Sequence, residues 1–192
     1  MKSGDTKDYP LPKQANNRLE PKGIIAVDLF GLPADYNAIN HFAEENGLFV
    51  IEDAAQSFGA KINGQKAGSL AKLGCTSFFP AKPLGCYGDG GMCFSDDDQV
   101  AEIIVSLRVH GKGSHKYDNV RVGINGRLDT LQAAILLSKF EVFPEEIDMR
   151  QRAAANYSDL LSNIEGLTAP IVPAGYQSVW AQYSVLACDQ KH

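Results

Sequence analysis

The sequence predicts an α/β fold, three-layered, with a mostly parallel sheet and helices on both faces. Three observations predict it. Residues 23–54 read as one strand–helix–strand unit. Two further strand-like runs, CTSFF (75–79) and MCFSD (92–96), follow with turn signals between them. The runs of the first unit are continuously apolar rather than alternating, as strands covered on both faces are.

Each element has a local reason. Residues 1–20 are polar and aperiodic and read as a flexible tail. GIIAVDLFG (23–31) is β-branched and apolar and stops at Gly31. Pro33 opens a helical pattern, ADYNAINHFAEENG, in which Tyr36, Ile39, Phe42 and Ala43 share a face and Gly47 is the stop. LFVIEDA (48–54) is a buried strand ending in two acids. The Gly-rich stretch 57–70 contains an Asn-Gly turn at 63–64. PAKPLGCYGDGG (80–91), with two prolines, is a loop. Residues 96–111 form a helix with acids at its start and Arg108 and His110 near its end, as the macrodipole favours. Residues 111–126 are polar and irregular, 128–140 are helical, and Glu145 to Leu161 carry a second helical pattern. Mixed strand signals surround SVWAQYSVLACD (178–189). The strands are expected near 24–28, 49–52, 75–79 and 91–95. The domain reading is a tail over 1–20, a large domain over 21–145, and a linking helix with an incomplete small domain over 146–192.

Composition narrows the function. The chain has 192 residues, 18 Lys+Arg against 23 Asp+Glu, a net charge of −5 and 44% apolar residues. That is an ordinary globular balance, long enough to bury a core. The negative charge argues against sequence-blind nucleic-acid binding, which needs a basic surface to displace counterions. No apolar run approaches a membrane span, and the first residues lack the apolar core of a signal peptide, so the reading is cytoplasmic with no membrane partner. Cys75, Cys86, Cys93 and Cys188 form no CxxC, and no His pairs at zinc spacing. Buried free thiols and no metal site are expected.

Four features carry chemistry. Asp53 ends a buried strand, with Gln56 three residues on, and ligand sites in parallel sheets lie at the carboxyl ends of strands. On that feature alone Asp53 equally caps the next segment. Ser77 and Lys82 flank a strand end and its loop. Phe79, Pro80, Pro83 and Leu84 hem Lys82 in, and a desolvated amine favours its neutral, nucleophilic form; a solvated loop lysine is the plain alternative. Gly85, Gly88, Gly90 and Gly91 match neither GxGxxG nor the Walker pattern and read as a tight turn. Arg121, Asn125, Arg127 and Asp129 precede a helix start, where capping and solvated charge also explain them. As a set, a carboxylate, an amide, a hydroxyl and a lysine at neighbouring strand ends are what pyridoxal phosphate (PLP) chemistry needs.

The motifs D-x-x-Q (53–56), S-x-F-P-x-K (77–82) and G-D-G-G (88–91) resemble those of the DegT-type sugar-nucleotide aminotransferases, a branch of the fold-type I PLP enzymes. The spacings fit as well: 24 residues from Asp53 to Ser77 and 29 from Asp53 to Lys82. R-V-H-G (108–111) and G-I-N-G-R-L-D-T-L-Q-A-A-I (123–135) extend the resemblance over residues 20–186. The wording is nearest to enzymes that aminate a UDP-linked 3-keto-N-acetylglucosaminuronate for bacterial surface polysaccharide such as lipopolysaccharide O-antigen.

The resemblance implies the following. Lys82 would be the catalytic residue, bonding the cofactor and moving a proton. Asp53 would pair with the pyridine nitrogen, Gln56 would touch the ring and its 3-hydroxyl, and Ser77 would bind the phosphate. Asn125 would reach the phosphate, and Arg127 the substrate's carboxylate, from the neighbouring subunit of a homodimer that shares its sites. The substrates would be a UDP-sugar and glutamate, and the last strand of the sheet would run antiparallel. Family members are nearly twice as long, so the expectation is a fragment without the front third and the C-terminal end, inactive alone. Two competing readings are a sugar 3-dehydratase relative, which carries His in place of the lysine, and a non-catalytic remnant or binding module of the same fold.

Overall fold

The structure is a computed structural model; it describes residues 20–188 apart from residue 116. The expected tail, residues 1–20, lies almost wholly outside the described residues. In chain order the elements are β1 (Gly23–Val27), a 3-10 turn (Leu29–Gly31), α1 (Tyr36–Asn46), β2 (Phe49–Asp53), β3 (Lys61–Ile62), β4 (Gln65–Lys66), β5 (Leu73–Ser77), β6 (Gly91–Phe94), α2 (Asp98–Arg108), α3 (Thr130–Leu161), β7 (Leu167–Thr168), β8 (Tyr176–Gln177) and β9 (Leu186–Ala187).

The main sheet has the order β1-β2-β5-β6. β1, β2 and β5 are parallel, and β6 runs antiparallel to β5, as the resemblance implies. Its four strands coincide with the four expected ones to within two residues. Asp35 caps α1 by accepting from Ala38 N at 3.1 Å. Gly47 stops it in the left-handed region at φ 62° and returns its N–H to Ala43 O and Glu44 O. Tyr36 and Ala43 are buried against Ile24, Ala26 and Val50. Phe42 is not, at 43% exposed. At 100° per residue it stands a full step off the Tyr36–Ile39–Ala43 line, so the apolar face is narrower than the sequence suggests.

The Asn-Gly turn is present. Asn63 (φ 49°) and Gly64 (φ 87°) both take positive φ and join β3 to β4, which type I′ hairpins require. β8 pairs with β3, so a segment more than a hundred residues later closes a small three-stranded sheet. The strand signals of 178–189 resolve differently from expectation. Strands lie at 176–177 and 186–187, and residues between them dock irregularly on the first loop, with Val179 N donating to Gly31 O at 2.9 Å.

Two expected helices are one. α3 runs unbroken through Pro144 for 32 residues. A proline removes one intrahelical donor, which is why the sequence suggests a break there. Phe143 (3% exposed) and Ile147, on either side of it, both pack into the core, and that burial carries the helix through. Thiol burial also departs from expectation. All four cysteines are free, but only Cys86 is buried, Cys75 is half-buried, and Cys93 and Cys188 are exposed. Cys93 sits on a strand with one neighbour, which leaves its surroundings open.

Among the described residues, β1 and β6 are both edge strands. On β1, Ile25 and Val27, pointing away from α1, are 67% and 47% exposed. An exposed apolar edge is a template for pairing with another chain. We expect concentration-dependent association of this chain in light scattering, and a reduced effect in Ile25→Lys. A monodisperse monomer across the concentration range would contradict it.

Candidate functional site

The register of the sheet builds the site. Val27 pairs with Asp53, and Asp53 with Cys75, so these residues form a row at the carboxyl ends of the parallel strands. Ser77 lies two residues beyond Cys75 and faces the same side. The side chains predicted from sequence at 53 and 77 therefore stand on adjacent strands and one face.

Their local hydrogen bonds leave specific atoms available. Asp53 Oδ1 accepts from Ala55 N at 3.1 Å, so the carboxylate does cap the following turn. Its second oxygen has no partner among the described residues. Ser77 Oγ accepts from Phe79 N at 3.2 Å, which leaves the hydroxyl proton to donate elsewhere. Gln56 Oε1 accepts from Phe30 N at 2.8 Å, so its amide NH2 is the free end. Phe30 holds a left-handed backbone (φ 62°), strained for a side chain of that size, and this bond helps to fix it.

Lys82 sits midway in a closed loop. Cys86 N donates to Phe78 O at 2.8 Å, joining the loop's ends, and Lys82 N donates to Phe79 O at 2.9 Å within it. Gly85 is required there: a Cβ would stand 2.5 Å from Pro80 O. Pro83 and Leu84 are buried, while Lys82 is half-buried and its ammonium has no partner among the described residues. The loop rests on α3. Leu136 and Phe143 bury Phe78 and Leu84, Lys139 Nζ donates to Gly85 O at 2.5 Å, and Gln132 Oε1 accepts from Tyr87 N at 2.8 Å. These four helix residues have the spacing of one face, i, i+4, i+7 and i+11. Sequence reasoning missed Gln132 and Lys139 as supports; the stripe they share with Leu136 and Phe143 was the available signal.

Beneath the row lies a buried acidic pair that sequence reasoning also missed. Asp28 and Glu52 are each 0% exposed. Asp28 accepts from Ser57 Oγ (2.6 Å), Tyr36 OH (2.9 Å) and Ala34 N (3.0 Å), tying β1 to α1 and to the turn that carries Gln56. Glu52 accepts from Gly68 N (2.5 Å) and Leu70 N (2.8 Å). Burial raises the Asp28 carboxyl above its ordinary range despite these donors. Burial, with the Asp28 charge adding to it, pushes Glu52 up to about 7.

Asn125 and Arg127 lie on the segment between α2 and α3. Both are exposed, and neither side chain bonds to Asp53, Gln56, Ser77 or Lys82 among the described residues. Their segment is held to the end of α2 through backbone bonds, Ile124 N to Leu107 O (2.9 Å) and Gly126 N to Arg108 O (2.8 Å). Asn125 also makes a single bridge with Val109. Among the described residues, no group of three or more His, Cys, Asp or Glu gathers as a metal site would require.

Comparison with known proteins adds the following. The profile of the DegT/DnrJ/EryC1/StrS aminotransferase family matches residues 11–192. A UDP-2-acetamido-2-deoxy-3-oxo-D-glucuronate aminotransferase of Pseudomonas aeruginosa is 52% identical over 184 residues, 94% of this chain and 51% of the relative. A UDP-N-acetyl-3-dehydro-alpha-D-glucosamine 3-aminotransferase of Acidithiobacillus ferrooxidans is 44% identical over 164 residues, 85% of this chain and 44% of the relative. The crystal structure of a DegT DnrJ EryC1 StrS aminotransferase from Brucella abortus superposes with a TM-score of 0.85 at 53% identity, covering 88% of this chain and 45% of that one. The chain thus spans about half the length of the curated relatives it matches.

Two outcomes test this description of the site. Phe143→Ala should destabilise the chain by about 3–5 kcal/mol in urea unfolding, since it empties the contact under the Lys82 loop. A change within error would show that α3 does not support the loop. The second concerns Glu52, whose ordinary value of 4.5 rises to about 7 on folding. Between those values the folded state holds more protons than the unfolded one, so this group's contribution to stability falls as pH rises through the window and is flat above it. Glu52→Gln should remove that slope from the urea midpoint plotted against pH; an unchanged slope would show that Glu52 titrates normally.

Proposed function

Because the chain belongs to the DegT/DnrJ/EryC1/StrS aminotransferase family, we propose that the protein it represents transfers an amino group to a keto-sugar carried on a nucleotide. The cofactor of the family is pyridoxal 5'-phosphate. The finer reading is a UDP-linked 3-keto-N-acetylglucosaminuronate as acceptor and glutamate as donor, in the cytoplasmic synthesis of a bacterial surface polysaccharide. The identity to the Pseudomonas aeruginosa relative supports that acceptor. The observation that carries the proposal is the site itself: a carboxylate oxygen and an ammonium without partners among the described residues, and a hydroxyl whose proton is left to donate, on adjacent strand ends and the loop after them.

Those groups fit the cofactor's chemistry. Bound PLP supplies an aldehyde for exchange of amines and a protonated ring that takes up electrons. Asp53 would hold the proton on the ring nitrogen through its free oxygen. Ser77 would donate its hydroxyl proton to the phosphate. Gln56, its oxygen already engaged by Phe30 N, would donate its NH2 to the ring's oxygen. Lys82 would hold the cofactor at its aldehyde and would carry the proton at the substrate carbon. The planar fork of Arg127 suits a uronate carboxylate, and Asn125 suits a phosphate. Both side chains are exposed and neither bonds to Lys82 among the described residues, which leaves them available to the site of a second subunit in a homodimer.

Titration with PLP, borohydride reduction and peptide mapping test the assignment without relying on turnover. The pyridoxyl label should concentrate on Lys82, disappear from that peptide in Lys82→Ala, and need at least tenfold more cofactor in Asp53→Ala. Labels scattered over exposed lysines would overturn it. A panel of UDP-keto-sugars with product mass spectrometry would then test the acceptor.

A further inference from the structure

We propose that Cys75 and Cys93 are a redox-responsive pair that closes to a cross-strand disulfide when the protein meets an oxidised small thiol. The two residues are direct register partners on antiparallel β5 and β6, and both are free thiols. Directly opposed residues of an antiparallel pair project from the same face. Which kind of pair they form can be read from the ladder. Phe78 N donates to Gly90 O at 2.7 Å, so 78–90 is a hydrogen-bonded pair. The alternation along the ladder makes 76–92 hydrogen-bonded and 75–93 non-hydrogen-bonded. Non-hydrogen-bonded partners bring their Cα atoms to about 4.5 Å, inside the span of about 4.4–6.8 Å that a disulfide bridges.

Access follows the same geometry. Cys75 and Cys93 are both among the residues lining one open cleft of about 1180 Å³, which Ala101 and Val105 of α2 also line. Cys93 is exposed and Cys75 half-buried. Burial, with Asp53, Cys93 and Glu52 around it, holds the Cys75 thiol above its ordinary range, so Cys93 is the thiol that reacts first. Lys66, Asp96 and Arg108 are the charged residues lining the cleft.

The chemistry balances as two exchanges. The Cys93 thiolate attacks one sulfur of the small disulfide, forming a mixed disulfide and releasing one small thiolate. The Cys75 thiolate attacks the Cys93 sulfur, forming the internal bond and releasing the second. The two protein thiols are oxidised, the small disulfide is reduced to two thiols, and the two protons leave with them. The bond would lie directly beside Asp53 in the same row, on the strand that carries Ser77. The inference stands on the ladder alone and does not depend on the proposed function.

Oxidised glutathione is the probe. The intact chain, and a Cys86→Ser/Cys188→Ser variant, are incubated with it, alkylated and mapped without reduction. The expected result in both is a dominant Cys75–Cys93 linked peptide, lighter by two hydrogens than the sum of its two parts. Cys93→Ser should lose the link and leave Cys75 alkylated. The same reaction in urea, where the ladder is gone, should reduce the yield of that link at least several-fold. Persistence of glutathione on Cys93 with Cys75 free, dominance of links to Cys86 or Cys188 in the intact chain, or equal yield in urea would each overturn the proposal.

Discussion

The parallel register of β1, β2 and β5 is the constraint on which the rest depends. Because side chains alternate strictly along a strand, a slip of one residue would turn Asp53 to the α1 face and put Glu52 in its place. Two buried features oppose that slip. Glu52 binds Gly68 N and Leu70 N from the α1 side. Gly74 packs so tightly on that crossover that a Cβ would stand 2.2 Å from Gly68 O. Structure on one face of the sheet thus fixes chemistry on the other.

The Lys82 loop is held by means distant in sequence. Its ends close on each other through Phe78 and Cys86, but its position comes from α3, about fifty residues later. Leu136 and Phe143 pack against the loop, and Lys139 and Gln132 hydrogen-bond to its backbone. This division explains why the loop can keep a lysine half-buried: neighbours satisfy the backbone polar groups around it, and the ammonium itself remains available.

The first loop is constrained from several sides. Phe30 takes a left-handed conformation, Gln56 holds its amide, and Gln182 N donates to its carbonyl at 3.2 Å. Trp180, itself at φ 51°, is held by Gln151 through its ring N–H at 2.9 Å. Strained backbone of this kind persists only where neighbours over-determine it. Here β1, the Gln56 turn, α3 and the 178–182 segment all meet.

By itself the sequence determined what depends on nearest neighbours and periodicity. The four strands of the main sheet, the Asn63-Gly64 turn, the Gly47 stop of α1 and the strand-end placing of Asp53 and Ser77 were all legible, because apolar runs, turn chemistry and short spacing are local properties. Resemblance of motifs added the family and the antiparallel last strand. Tertiary structure decided whatever rests on partners far along the chain. Residues 128–140 and 145–161 read as two helical patterns, yet α3 runs unbroken through Pro144, with Phe143 buried and Ile147 partly buried on either side of it. Phe42 reads as core, yet the face it would cover is too narrow. Glu52 reads as one of two acids ending a strand and Asp28 as part of an apolar run, yet both are fully buried, because the donors that satisfy them come from α1, the Ser57 turn and the 68–70 crossover, and only folding brings those groups together.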